Sequence, residues 1–235
     1  MNQNPINTSR LVEVFSAEAF DNRRIDVIGA GATGSKVVLE LAKAGLDDIH
    51  VYDFDTVAHE NIGNQAYRRE RDIDQLKVDA LQNLVYEATG LKVNTHAERV
   101  DGSQELGDIV FLLTDRMDSR KQIFESSIKY NMNVQLMIET RMGVDQGRVY
   151  AVNPNDSVHV RAWTKTLCDD VVTETSACGT KISVGPTAGI IANYAMWALF
   201  RWSALQINPD GEDKLENELI VSLRPPALMT RFFNR

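Results

Sequence analysis

The sequence predicts an α/β fold: a Rossmann-like, doubly wound and mainly parallel sheet with an antiparallel C-terminal extension. Three observations carry that expectation. A glycine-rich turn, Gly29-x-Gly31-x-x-Gly34, comes after an apolar run and opens an amphipathic stretch. Short apolar runs then alternate with longer amphipathic stretches, the pattern of parallel strands joined by helices on both faces. After Glu139 strand-like runs succeed one another with no helical pattern between the first of them.

In chain order, Ser9 to Phe20 is weakly helical, with Ser9 as a possible N-cap. Ile25–Ile28 predicts the first strand, and Ser35 to Ala44, closed by Gly45, the first helix. Ile49–Tyr52 predicts a second strand ending at Asp53. A helix is expected at about 73–89, with Leu76, Ala80, Leu81, Leu84 and Val85 on one face and Gly90 as its stop. Strands are expected at 92–95 and 109–113, then a helix over 119–129 and a strand over 134–138. Arg148–Val152 and Ser157–Val160 predict an antiparallel, hairpin-like extension. Residues 161–182 are polar, Thr-rich and acidic. An apolar helix covers about 187–205, and 218–222 predicts a last strand.

Composition narrows the function classes. Hydrophobic residues at 43% and charged residues at 25% suit a globular core. The net charge of −8 gives no reason to expect nucleic acid as a partner, and Arg68, Arg69 and Arg71 are diluted by Glu60, Glu70, Asp72 and Asp74. The run Val184–Phe200 carries Pro186, Thr187 and Asn193 and ends in Arg201, so it reads as a buried or interface helix rather than a membrane span. The two cysteines, Cys168 and Cys178, form no C-x-x-C pair, which excludes a zinc site made of cysteines. The start of the chain lacks a signal-peptide pattern, making the cytoplasm the expected compartment.

The glycine turn has the context a nucleotide site requires. Gly29 permits the tight turn, Gly31 lets backbone approach a phosphate, and Gly34 lets helix and strand pack closely. The helix N-terminus offers N–H groups and partial positive charge to an anion. Asp53 comes 19 residues after Gly34 at a strand end, where a carboxylate accepts ribose hydroxyls. NAD, FAD and ATP all fit such a site.

The residues beyond the second strand select ATP. Asp53-Phe54-Asp55-Thr56-Val57 leads to Asn61, Asn64 and Gln65, then Lys77 on the next helix, then Thr114-Asp115. An NAD dehydrogenase needs neither a lysine nor a second strand-end carboxylate in the same crevice. An ATP-cleaving site needs a cation for the phosphates and a carboxylate for Mg²⁺. Asp115 alone reads equally well as a cap for a helix starting near Asp118; together with Lys77 and Asp53 the metal role leads.

From Val27 to Asp115 the sequence resembles the family of ThiF, MoeB and the ubiquitin-activating enzymes. The elements are V-I-G-A-G-A-T-G-S, V-Y-D-F-D-T-V, N-I-G-N-Q, D-Q-L-K-V and L-L-T-D, continuing through Ile138-Glu-Thr-Arg141-Met142-Gly143. The resemblance implies an adenylyltransferase, with ATP and Mg²⁺ bound by Gly29, Gly31, Gly34, Asp53, Asp55, Asn61, Gln65 and Lys77. Asp115 would be the Mg²⁺-linked catalytic aspartate. The substrate implied is the C-terminal carboxylate of a ubiquitin-like or sulfur-carrier protein ending in glycine, activated as an acyl-adenylate. The whole of 1–235 then reads as a single adenylation domain, 24–140 binding nucleotide and 141–235 forming the extension. Two competing readings keep the fold: a catalytically weak nucleotide-binding scaffold subunit, and an NAD-dependent oxidoreductase.

One departure bears on catalysis. The family usually has an arginine just before Gln65, and here that position is Asn64. Arg68, Arg69, or Arg10 from a partner subunit are the sequence's candidates to replace it. Some members carry their substrate as a thioester on a cysteine beyond the antiparallel strands. Cys178, with Gly179 next to it ahead of the apolar helix, is the candidate; Cys168 stands beside Asp169 and Asp170, which disfavour a thiolate. Family members commonly pair as homodimers through the region of the apolar helix. The tail from Arg224 to Arg235 reads as a partner-binding strand or a frayed end.

Overall fold

The computed structural model describes residues 5–20, 23–168, 182–208 and 214–234. Its centre is an eight-stranded sheet in the order β3-β2-β1-β4-β5-β6-β7-β8. The strands are β1 Ile25–Ile28, β2 Ile49–Tyr52, β3 Asn94–His96, β4 Ile109–Leu112, β5 Leu136–Met142, β6 Gln146–Val152, β7 Glu218–Leu223 and β8 Pro226–Arg231. The first five run parallel, and β5 through β8 are joined antiparallel. This is the doubly wound, mainly parallel sheet with an antiparallel C-terminal extension that the sequence predicts.

Side-chain alternation along the strands divides the core. Ile25, Val27, Ile109, Phe111, Leu136 and Ile138 face one layer, with Val37, Leu41, Leu81, Val85, Ile191 and Leu199. These come from α1 Gly34–Lys43, from α3 Lys77–Thr89, which comes after the single turn α2 Arg69–Asp72, and from the long C-terminal helix Gly185–Ile207. Ile28, Val110, Leu112 and Met137 face the other layer, against Phe124, Ile128 and Trp163. Strands buried on both faces read as near-continuous apolar runs, as β4 does, while β1 is interrupted by Asp26 alone. Asp26, fully buried inside β1, is held by the Arg24 guanidinium at 2.7 Å and by the Gly107 N–H at 2.6 Å.

Several boundaries depart from expectation for local reasons. The helix expected from residue 73 starts at Lys77, because Asp74 takes φ +66° and Leu76 bridges Thr56 in an extended conformation. Backbone in those conformations cannot belong to a helix. Residues 9–20 form turns and a short 3₁₀ helix, Ala17–Phe20, rather than an α-helix. After α4, Met117–Ile123, a wider turn completes the helical stretch over Phe124–Ile128.

The largest correction is Ser157–Val160, expected as a strand. It is the start of helix α5, Ser157–Thr164, because the Asp156 carboxylate accepts the Val158 N–H at 2.7 Å and the His159 N–H at 3.4 Å. That N-cap, together with the burial of Val160 and Trp163 on one face, outweighs the β-branched pattern. β6 pairs instead with β5 on one side and β7 on the other, and the tail, read as a partner-binding strand or a frayed end, forms β8 of this sheet, exposed along its whole length. The apolar helix, here α6, buries Ala188, Ile191, Ala195 and Leu199 but leaves Ile190 and Trp197 exposed. Among the described residues no helix is long and apolar enough to cross a membrane.

Candidate functional site

The glycine turn lies at the carboxyl end of β1 and closes on itself. Gly29 has φ +103°, and a Cβ there would stand 2.8 Å from the Leu113 carbonyl oxygen. A Cβ on Gly34 would fall 1.9 Å from the Gly29 carbonyl oxygen, so no side chain fits. Gly31 differs: no atom of the described residues lies within 4 Å of a Cβ built on it. Two of the three glycines therefore shape the turn, and the third leaves open space above it.

Asp53, just past β2, belongs to the same unit. One carboxylate oxygen accepts the Ala30 N–H at 2.7 Å and the other accepts the Asp55 N–H at 2.9 Å. Each oxygen keeps a further lone pair for a ribose hydroxyl. Burial pushes the Asp53 carboxyl above its ordinary range, while Lys77 and the two backbone donors pull it back. The buried Tyr67 hydroxyl donates to the Ala30 carbonyl at 2.7 Å and holds the turn from the other side.

Lys77, at the first position of α3, is almost fully buried, and its Nζ lies 2.9 Å from an Asp55 carboxylate oxygen. The Lys77 N–H also donates to the Asp55 carbonyl at 2.9 Å. The structure thus pairs Lys77 with Asp55, leaving Asp53 to the glycine turn. Asn61 ends the 3₁₀ turn His59–Asn61, its side-chain oxygen accepting the Ala58 N–H at 2.9 Å, and its carbonyl accepts the Gln65 N–H at 2.9 Å. Asn64 Oδ1, Gln65 Oε1 and Thr114 Oγ1 are buried without a hydrogen-bond partner among the described residues. Buried polar atoms of that kind call for a ligand or solvent donor.

Asp115 is exposed beyond the end of β4, one residue before Arg116, which occupies the cap position of α4. Beneath it lies a charge network that sequence reasoning missed. Glu139 on β5 is fully buried between Arg120, whose Nε is 2.6 Å away, and Arg141, whose Nε is 3.1 Å from both its oxygens. The Trp163 indole N–H donates to Glu139 at 3.1 Å. Arg120 also donates to the carbonyls of Thr114 at 2.5 Å and Thr140 at 3.1 Å, and Arg141 to the Thr166 carbonyl at 2.7 Å. The backbone just before Asp115 is therefore anchored to the ends of β5 and α5. The one sequence signal was a carboxylate at the end of an otherwise apolar strand.

Of the cations considered for the position of Asn64, Arg68 is taken up by Asp72, with its guanidinium at 2.9 Å, and by Glu87. Arg69 and Arg10 are exposed. Lys36, not singled out by the sequence, reaches Asn64 instead: its Nζ donates to the Asn64 carbonyl at 2.7 Å. Cys168 is an exposed free thiol, and Cys178 lies outside the described residues. Among the described residues no group of three or more His, Cys, Asp or Glu side chains could hold a metal ion. A divalent ion here would depend on one or two carboxylates and the phosphates of a nucleotide, the manner in which Mg²⁺ binds.

The profile of the ThiF family matches residues 7–222. The catalytic subunit of the NEDD8-activating enzyme E1 of Caenorhabditis elegans is 34% identical over 85 residues, 36% of this chain and 20% of that protein. The adenylyltransferase and sulfurtransferase uba4 of Aspergillus clavatus is 29% identical over 111 residues, 45% of this chain and 23% of that protein. The matched parts are thus less than a quarter of either relative's length. The crystal structure of E. coli MccB with ATP superposes with a TM-score of 0.67 at 13% identity, over 93% of this chain and 66% of that one. At that identity the likeness is one of fold.

Proposed function

This chain belongs to the ThiF family, and we propose on that premise that it is an ATP-dependent adenylyltransferase. Its substrate would be the C-terminal carboxylate of a ubiquitin-like or sulfur-carrier protein ending in glycine. The observation that carries this reading is the convergence of four features at the carboxyl ends of β1, β2 and β4. These are the turn open at Gly31, Asp53 bound to the Ala30 N–H, the buried Lys77 and the exposed Asp115. Open parallel sheets bind ligands at that edge. The names of the relatives support the reaction class, and ATP is the nucleotide bound in the likened MccB structure.

In the reaction, a carboxylate oxygen attacks the α-phosphorus of ATP, and the bond to the α,β-bridging oxygen breaks. Acyl-adenylate and pyrophosphate result. Asp53 holds the ribose, so that the nucleotide is fixed before the carboxylate arrives. The Gly29–Gly34 turn and the first N–H groups of α1 receive phosphate oxygens. Lys77, preorganised by Asp55, faces the charge that grows on the phosphates. Asn61 and Gln65 line the nucleotide. Asp115 would hold Mg²⁺, which when bound supplies positive charge to the phosphate chain. The exposed Ile190 and Trp197 of α6 support a homodimer through that helix, and Cys178 is the acceptor for a thioester step.

Isotope exchange between pyrophosphate and ATP, dependent on a glycine-ended partner protein, tests the reading. Exchange is expected with the wild type and lost in Asp115→Ala. Exchange undiminished by that change would remove Asp115 from the site. Binding of NADH in preference to ATP would overturn the reaction class.

A further inference from the structure

The cations near the glycine turn differ in whether their charge is already matched. Lys77 is paired with Asp55 at 2.9 Å, and Arg68 with Asp72 and Glu87. Lys36, in the first turn of α1, has only the neutral Asn64 carbonyl at 2.7 Å among the described residues. The natural partner one turn on, Glu40, is instead paired with Lys43 at 2.9 Å. Burial holds the Lys36 ammonium below the ordinary lysine range, and no carboxylate among the described residues raises it. A half-buried ammonium without an anion is costly unless something else supplies the anion.

The place where Lys36 sits is suited to one. The N-terminal ends of α1 and α6 meet at this loop: a Cβ on Gly185 would stand 3.0 Å from the Gly63 carbonyl and 3.3 Å from the Asn64 Cα. Neither helix start has a side-chain cap, at Thr33 or at Val184. Two uncapped helix N-termini and an unmatched lysine favour a multiply charged anion. Ser35 fastens the same loop to α1 by accepting the Ala66 N–H at 3.1 Å, so the loop's position does not depend on Lys36 alone.

We propose that Lys36 binds the β- and γ-phosphates of ATP between the first turns of α1 and α6, supplying the charge that no arginine at position 64 provides. This rests on the adenylyltransferase reading and assigns its pyrophosphate-binding cation. One of the three ammonium donors holds the Asn64 carbonyl, and two remain for phosphate oxygens.

The test compares binding of ATP and AMP by calorimetry in wild type, Lys36→Gln and Lys36→Arg, with thermal unfolding alongside. Glutamine keeps a donor for the Asn64 carbonyl but removes the charge; arginine keeps both. Lys36→Gln should weaken ATP by roughly tenfold or more, as expected for losing a charge-assisted contact, while AMP stays within about twofold and thermal unfolding is unchanged. Lys36→Arg should return ATP to within about threefold. If ATP binding in Lys36→Gln equals wild type, or if ATP and AMP weaken together, Lys36 is a structural latch and the assignment falls. A wild type that binds neither nucleotide would instead overturn the adenylyltransferase reading, and this assignment with it.

Discussion

The carboxyl ends of β1 and β2 and those of β4 and β5 lie side by side on one sheet edge, yet they are built on opposite plans. On the β1 side the polar groups are under-used. Among the described residues Gly31 meets no neighbour, Lys36 has a neutral partner only, and the side-chain oxygens of Asn64 and Gln65 are buried with none. On the β4 side Glu139 is surrounded by Arg120, Arg141 and Trp163, and the two guanidinium groups also bind the Thr114, Thr140 and Thr166 carbonyls and the Thr166 hydroxyl. The first region spends folding stability to leave groups ready for a ligand. The second matches its charges internally, with Thr114 Oγ1 the group left unpartnered there among the described residues, and serves to hold Asp115 in place. Within one site, readiness and rigidity have been assigned to different strands.

The largest effect expected from breaking this contrast is on the rigid side. Glu139→Ala leaves two arginines unmatched, one of them buried, and should lower unfolding free energy by about 3–5 kcal/mol, read by urea denaturation. A loss under about 1 kcal/mol would mean that the network is not the anchor described. Next comes Asp115→Ala, which should reduce pyrophosphate exchange by about 10²–10³-fold while stability moves by less than about 0.5 kcal/mol. A variant equally impaired in folding would show that Asp115 belongs with the network rather than with the ligand.

The ready side should respond in the reverse sense. Gly31→Ala meets no atom of the described residues, so the variant is expected to fold as well as wild type, or better by up to about 1 kcal/mol. Its ATP affinity should nevertheless fall about tenfold, by the steric loss of backbone approach. A stable variant with unchanged affinity would place the phosphates elsewhere.

The smallest effect concerns pH at Asp53. Its folded-state carboxyl is raised by burial, with Asp55 adding to the rise and Lys77 and the Ala30 and Asp55 N–H groups opposing it. The folded chain therefore binds this proton more readily than the unfolded chain. As pH falls through the raised range, this group's contribution to stability increases. Nucleotide affinity should fall over the same range, because the acceptor shared by Ala30 and the ribose is neutralised. Titrations of ATP affinity and of thermal midpoint should thus move in opposite directions, and Asp53→Asn should remove both trends.

Much of the β1 side is legible in the sequence alone. The turn, Asp53 and Lys77 depend on spacing within one strand–turn–helix unit and its successor, and such spacing is a local property. Lys36 was within reach by the same means, since it stands two residues beyond the last glycine of the turn, but its significance depends on Asn64, 28 residues away. Arg120, Glu139 and Arg141 could not be assembled from spacing, because their meeting requires β4 and β5 to be neighbours and α5 to pack beneath them. Ser157–Val160 went wrong for a smaller reason: four residues of alternating pattern say less than one capping aspartate and a buried Trp163.

By itself the sequence determined the layered α/β architecture, the phosphate turn and the strand-end carboxylate, since hydrophobic period and glycine spacing act over a few residues. Only the tertiary structure decided which charges meet. Lys77 falls to Asp55, Arg68 to Glu87 besides its helical neighbour Asp72, and Lys36 to the Asn64 carbonyl. Pairing of ions is a matter of a few ångströms between elements far apart in the chain, and that distance exists only once the sheet has closed its order.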